Sequence, residues 1–358
     1  MQGIKIYTIL ASSLISGSIF AQTEISTANS STVNASYVEP SAEKIISPSD
    51  KLNNLFERNM SQPYILQKIG ERTYYVQRYF YSTTFYVGDK GVLLFDAPEG
   101  RGKYLLQAIR DVTPLPVTAL VYSHYHVDHI GDSPFWNDEA KKEGVNLRII
   151  ASKATAEKMQ FMNSRLPVAT QVLSKKDDQF KFEKQTIELH RFVKAGHTDD
   201  HSVWLLKQEK VAHSPDLLNP DQLPMMGFAV SDTLVYHDSN LRQGGVYHDS
   251  NLRQVEMLDW KYFIGGHGNI GSHDDFKFQR QFLNVLRDTT IKVRKEESFG
   301  KFMNKTANNH ADFARAQREA IIKKVTEAII KKVTCLSITP NLCLLIFEMA
   351  IRLVGSYY

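Results

Sequence analysis

The stretch VYSHYHVDHIGD, Val121 to Asp132, places His124, His126, Asp128 and His129 within six residues. Each of these groups costs free energy when buried without a partner. A single histidine at the end of an apolar strand reads as a hydrogen-bonded core residue. Four ligand types this close together are better explained by a cation, and neutral imidazoles with carboxylates suit zinc. His124 and His126, two apart, can face the same side and grip one ion. Asp128 and His129 lie past the turn and can reach a second. Each ion then needs further ligands, and three candidates follow apolar runs downstream: His197 in KAGHTDDH, Asp216 in AHSPDLL and His267 in IGGHGNIG.

Outward from this cluster the chain alternates strands and helices. Val117 to Tyr122 is a nearly continuous apolar run, as expected of a strand covered on both faces. Upstream, Arg72–Phe80, Thr84–Gly88 and Gly91–Asp96 read as strands, and Gly102–Val112 has helical spacing at Leu105, Ala108, Ile109 and Val112. Downstream, helices are expected near Asp138–Glu143 and Lys153–Ser164. Strands are expected at Leu147–Ala151, Thr186–Val193, Ser202–Lys207 and near Val211. Ser272 with Asp274 and Asp275 makes a helix start, and Phe278, Phe282, Leu286 and Val293 recur at helix spacing. The pattern predicts a layered α/β body followed by a helical C-terminal extension.

Bulk properties narrow the class. The chain has 358 residues, 42% hydrophobic and 23% charged, which predicts a packed core. A net charge of +4 is spread thinly and shows no basic stripe, so no nucleic-acid partner is expected. Lys5, the apolar or small run Ile6–Phe20 and Ala21 have the pattern of a signal peptide over 1–21, predicting a periplasmic or secreted protein with no stable membrane span in the mature chain. Residues 22–60 are rich in Ser, Thr and Asn and are expected to form a flexible linker. Cys335 and Cys343 are too few for a disulfide framework. Two duplications stand out. VYHDSNLRQ occurs at Val235–Gln243 and again at Val246–Gln254, and EAIIKKVT at Glu319–Thr326 and Glu327–Thr334. Two identical copies cannot share one place in a core, so one copy of the first pair is expected as an exposed loop. The second pair can simply lengthen an amphipathic helix. The tail LCLLIFEMAIRLVG, broken by Glu348 and Arg352, reads as a helix packed on the body, with a membrane-surface or dimer contact as the alternative.

The order HxHxDH, GHT, an Asp after a short strand, then GGHG resembles the metallo-β-lactamase superfamily over roughly Gln62 to Asp275. The resemblance implies a four-layer αββα sandwich over 61–275, with 276–358 as the helical extension. It also implies two metals at one sheet edge: Zn2+, with iron or manganese as alternatives. His124, His126 and His197 would hold the first, Asp128, His129 and His267 the second, and Asp216 would bridge them. Asp96, in LLFDAPEG, matches the family's acid that orients a ligand. The implied activity is that of a dinuclear-zinc hydrolase, in which a metal-bound hydroxide attacks a lactone, ester or lactam carbonyl and Asp128 helps to position the nucleophile. Asp216, where some family β-lactamases carry Cys or Ser, resembles the lactonase-like branches more closely. A phosphodiesterase or sulfatase of the same fold, or a non-enzymatic metal-binding protein, are the competing readings.

Other polar residues carry less. His213, three before Asp216, is either a substrate or ligand-orienting group or a satisfied structural histidine. His201 and Asp199 read as loop polar groups, and His237 and His248 belong to the duplicated segment. Two apolar loops flank the ligands: Phe135 and Trp136 in SPFW, and Met225, Met226 and Phe228 in LPMMGF. If they line the site, the small-molecule substrate has an apolar portion. The competing reading places them in the core.

Overall fold

The computed structural model describes residues 36–333 apart from 49, 55–59, 175, 177, 222–247 and 304–309. Its centre is a seven-stranded sheet in the order β3 (Ile65–Lys68), β4 (Thr73–Arg78), β5 (Tyr81–Val87), β6 (Val92–Phe95), β7 (Val117–Val121), β8 (Arg148–Ser152) and β9 (Gln171–Leu173). The first four strands pair antiparallel as a meander. From β6 onward the pairing is parallel, with α1 (Gly102–Arg110), the short α2 (Val127–Ile130), α3 (Ser133–Lys142) and α4 (Lys153–Phe161) in the crossovers. A second sheet orders β10 (Gln179–Phe182), β11 (Gln185–Arg191), β12 (Ser202–Leu206), β13 (Val211–His213), β14 (Tyr262–Ile264) and β15 (Ile270–Gly271).

Strand periodicity sorts the side chains into layers. On β6, Leu93 and Phe95 face the second sheet, where they meet Phe180, Ile187, Trp204 and Ile264. Val92 and Leu94 face the other way, onto Leu105 and Ile109 of α1. On β12, Trp204 and Leu206 point into the same inter-sheet core. Val203 and Leu205 point outward, against Leu252, Val255 and Phe276. Leu252 and Val255 lie on α5 (248–256), and Phe276 on α6 (His273–Glu296). Helices therefore cover both outer faces, giving the αββα sandwich. Burying each such side chain contributes about 1.5–3 kcal/mol, so the loops at the sheet ends project from a rigid frame.

Helix ends follow local chemistry. Ser152 caps α4, its hydroxyl accepting the Thr155 amide at 3.0 Å. Ser272 and Asp275 close a capping box on α6, at the start expected from Ser272, Asp274 and Asp275. Helix α7 (His310–Val333) packs back on α6 and buries Ile321, Ile322 and Val325. No helix among the described residues is long and apolar enough to cross a membrane.

Two expectations need correction. Part of the linker expected over 22–60 is built into the fold, at 36–48 and 50–54: β1 (Tyr37–Val38) pairs parallel with β2 (Lys51–Leu52). Leu52 is buried in the inter-sheet core, and Ile46 hydrogen-bonds Lys68 at 3.1 Å. The division at 275 also falls inside one packed unit, because Phe276, Phe282 and Leu286 of α6 are buried. The segment 1–21, Cys335 and Cys343, the first nonapeptide copy with His237, and the apolar tail lie outside the described residues.

Candidate metal centre

Parallel pairing brings the ends of distant strands to one edge. β6 and β7 end side by side, and so do β13 and β14. Asp96 follows β6 with φ +56°, a left-handed conformation that is uncommon outside glycine. Its Oδ1 accepts the Ser123 amide at 2.8 Å, and its Oδ2 lies 2.9 Å from Nε2 of His213. That bond steadies the backbone that carries His124. The Nδ1 of His124 lies 3.0 Å from the Ser123 hydroxyl, which leaves Nε2 for the site. His129 sits on α2, and its carbonyl accepts the Ala97 amide at 2.7 Å.

On the other sheet, Asp216 follows β13 with φ +65°, and its amide donates to the Gly265 carbonyl at 3.0 Å. His267 lies between β14 and β15. Its neighbour Gly266 has φ +78°, and a Cβ there would come 2.7 Å from His129 Cε1 and 2.6 Å from Pro215 Cβ. Only glycine allows these two ligand loops to approach so closely. The Gly266 carbonyl accepts the Ser82 amide at 2.7 Å, and the Gly268 carbonyl accepts the Tyr75 hydroxyl at 2.6 Å.

The seven expected ligands converge. One donor atom from each of His124, His126, His197 and Asp216 falls in a group spanning no more than 4.8 Å. A second such group is Asp128, His129, Asp216 and His267, so Asp216 belongs to both. Its Oδ2 lies 3.0 Å from His129, 3.1 Å from His197, 3.5 Å from His124 and 3.9 Å from His126. Its Oδ1 lies 3.0 Å from His267 Nε2. Asp128 stands at the open side, 3.6 Å from His129 and 3.9 Å from His267, with its side chain 39% exposed.

The electrostatics are those of a carboxylate ringed by imidazoles. Burial pushes the Asp216 carboxyl up, but His129, His124 and His126 override it and hold it well below the usual carboxylate range. Burial also opposes charge on His129, yet Asp216 lifts it to about 9. Burial dominates at His124 and drives it well below the ordinary histidine value. The donor set fits a borderline cation: five imidazoles and two carboxylates, with His124 Nε2 buried and lacking a hydrogen-bond partner.

The remaining site expectations divide. His213 is fully buried, its Nε2 paired to Asp96 and its ring packed on Phe95 with centroids 5.3 Å apart, while its Nδ1 has no hydrogen-bond partner, so it stands behind the candidate ligands. Trp136 corrects the expectation of a substrate-lining loop. It is 1% exposed in the core outside the first sheet, because the spacing 133, 136, 140 on α3 turns Ser133, Trp136 and Ala140 inward. Phe135 is half-buried against the same core and against Gly102 at the start of α1. Met225, Met226 and Phe228 lie outside the described residues. Asp199 is a loop group paired with Lys158 at 3.0 Å. His201, by contrast, is buried behind His124 and His197, its ring 5.6 and 5.4 Å from theirs.

One supporting residue escaped sequence reasoning because it sits in the duplicated segment. In the second copy, Asn251 on α5 accepts the Gly196 amide at 2.7 Å and donates to the Lys194 carbonyl at 2.8 Å. A Cβ on Gly196 would lie 2.9 Å from the His248 amide nitrogen. The second copy is therefore packed against the loop that presents His197. Deleting residues 235–245, the first copy and its glycine pair, should leave turnover and metal content within about threefold of the parent, because the second copy already holds the His197 loop. A collapse of metal binding in the deletion variant would show that the first copy holds that loop.

A profile of the metallo-beta-lactamase superfamily matches residues 77–267, a span that includes all seven candidate ligands. The curated metallo-beta-lactamase IND-1 of Chryseobacterium indologenes is 28% identical over 134 residues, which cover 37% of this chain and 52% of that protein. The chain thus spans about half the length of that curated relative. Among solved structures, a metallo-beta-lactamase from Pontibacter korlensis is 19% identical, with 62% of this chain and 99% of that chain covered and a TM-score of 0.47. Metallo-beta-lactamase IND-7 is 18% identical over 62% of this chain and 98% of its own, with a TM-score of 0.47.

Proposed function

Because the chain belongs to the metallo-β-lactamase superfamily of hydrolases, we propose that it is an exported dinuclear-zinc hydrolase that opens a lactone, ester or lactam carbonyl. The observation that carries the reading is Asp216, the one residue shared by both groups of candidate ligands, with Oδ2 against His197, His124, His126 and His129 and Oδ1 against His267. His124, His126 and His197 would hold one ion and Asp128, His129 and His267 the other, with iron or manganese as alternatives to zinc. Two ions bound there supply a nucleophilic water near neutral pH and stabilise developing negative charge.

The chain's own groups account for the rest. Asp128 is the ligand open to solvent, placed to orient the attacking water, hold its proton on a carboxylate oxygen and return that proton to the leaving group. Asp96 and His213 fix the strand end behind His124. The preference for lactones and esters over β-lactams rests on the resemblance of Asp216 to the lactonase-like branches. Support for an apolar substrate portion comes from three exposed side chains next to ligand-bearing backbone: Phe80, Val127 and Val193, exposed by 52%, 51% and 89%. Val127 lies between His126 and Asp128, Val193 precedes His197 in its loop, and Phe80 precedes Tyr81, which bridges to His267. These replace Trp136 as the apolar contacts. The leader pattern at 1–21 supports export.

The test is a zinc-loaded preparation assayed on lactones, aryl esters, lactams and phosphodiesters. Turnover of a lactone or ester, lost with a chelator and restored by zinc, is expected. Turnover of phosphodiesters alone would move the reading to a phosphodiesterase. Two bound ions with no turnover on the whole panel would make the chain a metal-binding protein.

A further inference from the structure

The loop Ser123–His126 alternates in its use of atoms. The side chains of His124 and His126 face the candidate metal centre, while the amides of Ser123 and Tyr125 donate to buried carboxylates. Asp96 receives the first; Asp200 receives the second, its Oδ2 lying 2.8 Å from the Tyr125 amide. The Oδ1 of Asp200 accepts the hydroxyl of Thr198, next to His197, at 2.6 Å. One carboxylate thus ties the backbone beside His126 to the backbone beside His197. The two imidazoles face each other across that tie, with His126 Nδ1 3.1 Å from His197 Nε2. Asp200 and Thr198 are each 1% exposed. Among the described residues no cation pairs with Asp200, because Lys158 pairs with Asp199 instead.

We propose that Asp200 is a positioning residue that sets the spacing of His126 and His197 for one ion of the metal pair. The inference rests on the metal reading given above. A group that sits behind metal ligands and fixes their orientation changes metal affinity without touching the ion. What matters at Asp200 is two acceptor positions at a fixed separation. An amide of the same shape can meet both, its oxygen accepting the Tyr125 amide and its NH2 donating to the Thr198 hydroxyl. Alanine meets neither and leaves a buried backbone amide unpaired.

The experiment titrates zinc into the metal-free full chain against a chelating dye, for the parent and for Asp200→Ala, Asp200→Asn and Thr198→Val. The cobalt(II) absorption spectrum of each gives a readout independent of turnover. Asp200→Ala should weaken one of the two ions about 10–100-fold and alter the cobalt spectrum, as loss of such partners does elsewhere. Asp200→Asn should stay within about threefold of the parent, since it keeps both hydrogen bonds, and Thr198→Val should fall between. Parental affinity in Asp200→Ala would overturn the proposal. So would an equal loss in Asp200→Asn, which would assign the effect to charge rather than position. If Asp200→Ala does not fold, Thr198→Val at parental affinity would overturn it. A parent chain that binds no zinc would overturn the metal reading itself and this inference with it, a result distinct from a defect confined to the variants.

Discussion

Asp216→Asn is expected to empty both metal positions and to lower turnover by about 10³-fold or more, beyond the roughly 10–100-fold that loss of an outer partner costs. The substitution keeps the volume, and asparagine accepts the left-handed backbone that Asp216 adopts at φ +65°. What it removes is the negative charge. That charge faces His129, His197, His124 and His126 on one oxygen and His267 on the other. Without it, two cations would face one another across a neutral amide. Metal content per chain after dialysis, read beside kcat/KM, checks the prediction. Full occupancy in the variant would mean that Asp216 is a bystander to one or both ions.

The second large effect lies away from the chemistry. Lys51 on β2 is 1% exposed, with its Nζ 2.5 Å from Asp275 and 3.5 Å from Asp221. Asp275 also accepts the Ser272 amide at 2.7 Å and its hydroxyl at 2.8 Å, closing the cap of α6. Asp221 accepts Nδ2 of Asn269 at 2.8 Å, two residues beyond His267. One ammonium therefore joins the N-terminal strap, the His267 loop and the start of α6. Lys51→Met should cost about 3–5 kcal/mol, because it strands two buried carboxylates. The cost should shrink on acidification. Burial pushes Asp221 up to about 6 even with Lys51 opposing it, and losing Lys51 raises it further. A carboxyl whose folded value is raised destabilises fully above that value and not at all below its unfolded value near 3.8. Urea midpoints of variant and parent should thus differ more at pH 7.5 than at pH 5. An equal gap at both would show that the carboxylates are already neutral or solvated.

The convergence of the candidate ligands was legible in the sequence because these residues are chemically conspicuous and follow apolar strands. HxHxDH follows β7, Asp216 follows β13 and His267 follows β14, so a layered α/β reading put them on loops at strand ends. The groups behind them were less visible. Asp200 and Asn251 act on backbone amides and carbonyls, and such contacts leave no spacing signature. The strap at 36–54 lacks hydrophobic periodicity. Part of its order comes from Lys51 and Leu52, whose partners lie some two hundred residues away, and part from backbone bonds to Lys68. Trp136 lies between two readings in the sequence, because an aromatic residue beside the HxHxDH loop suggests a pocket as readily as a core. Its spacing with Ser133 and Ala140 on one helix was the signal that assigns it to the core.

The central claim is tested most directly by anomalous diffraction at the zinc edge from crystals of the zinc-loaded chain. The account predicts two ions, one contacting His124, His126 and His197, the other Asp128, His129 and His267, with Asp216 touching both. A single ion, or a pair that leaves Asp216 uncoordinated, would contradict it.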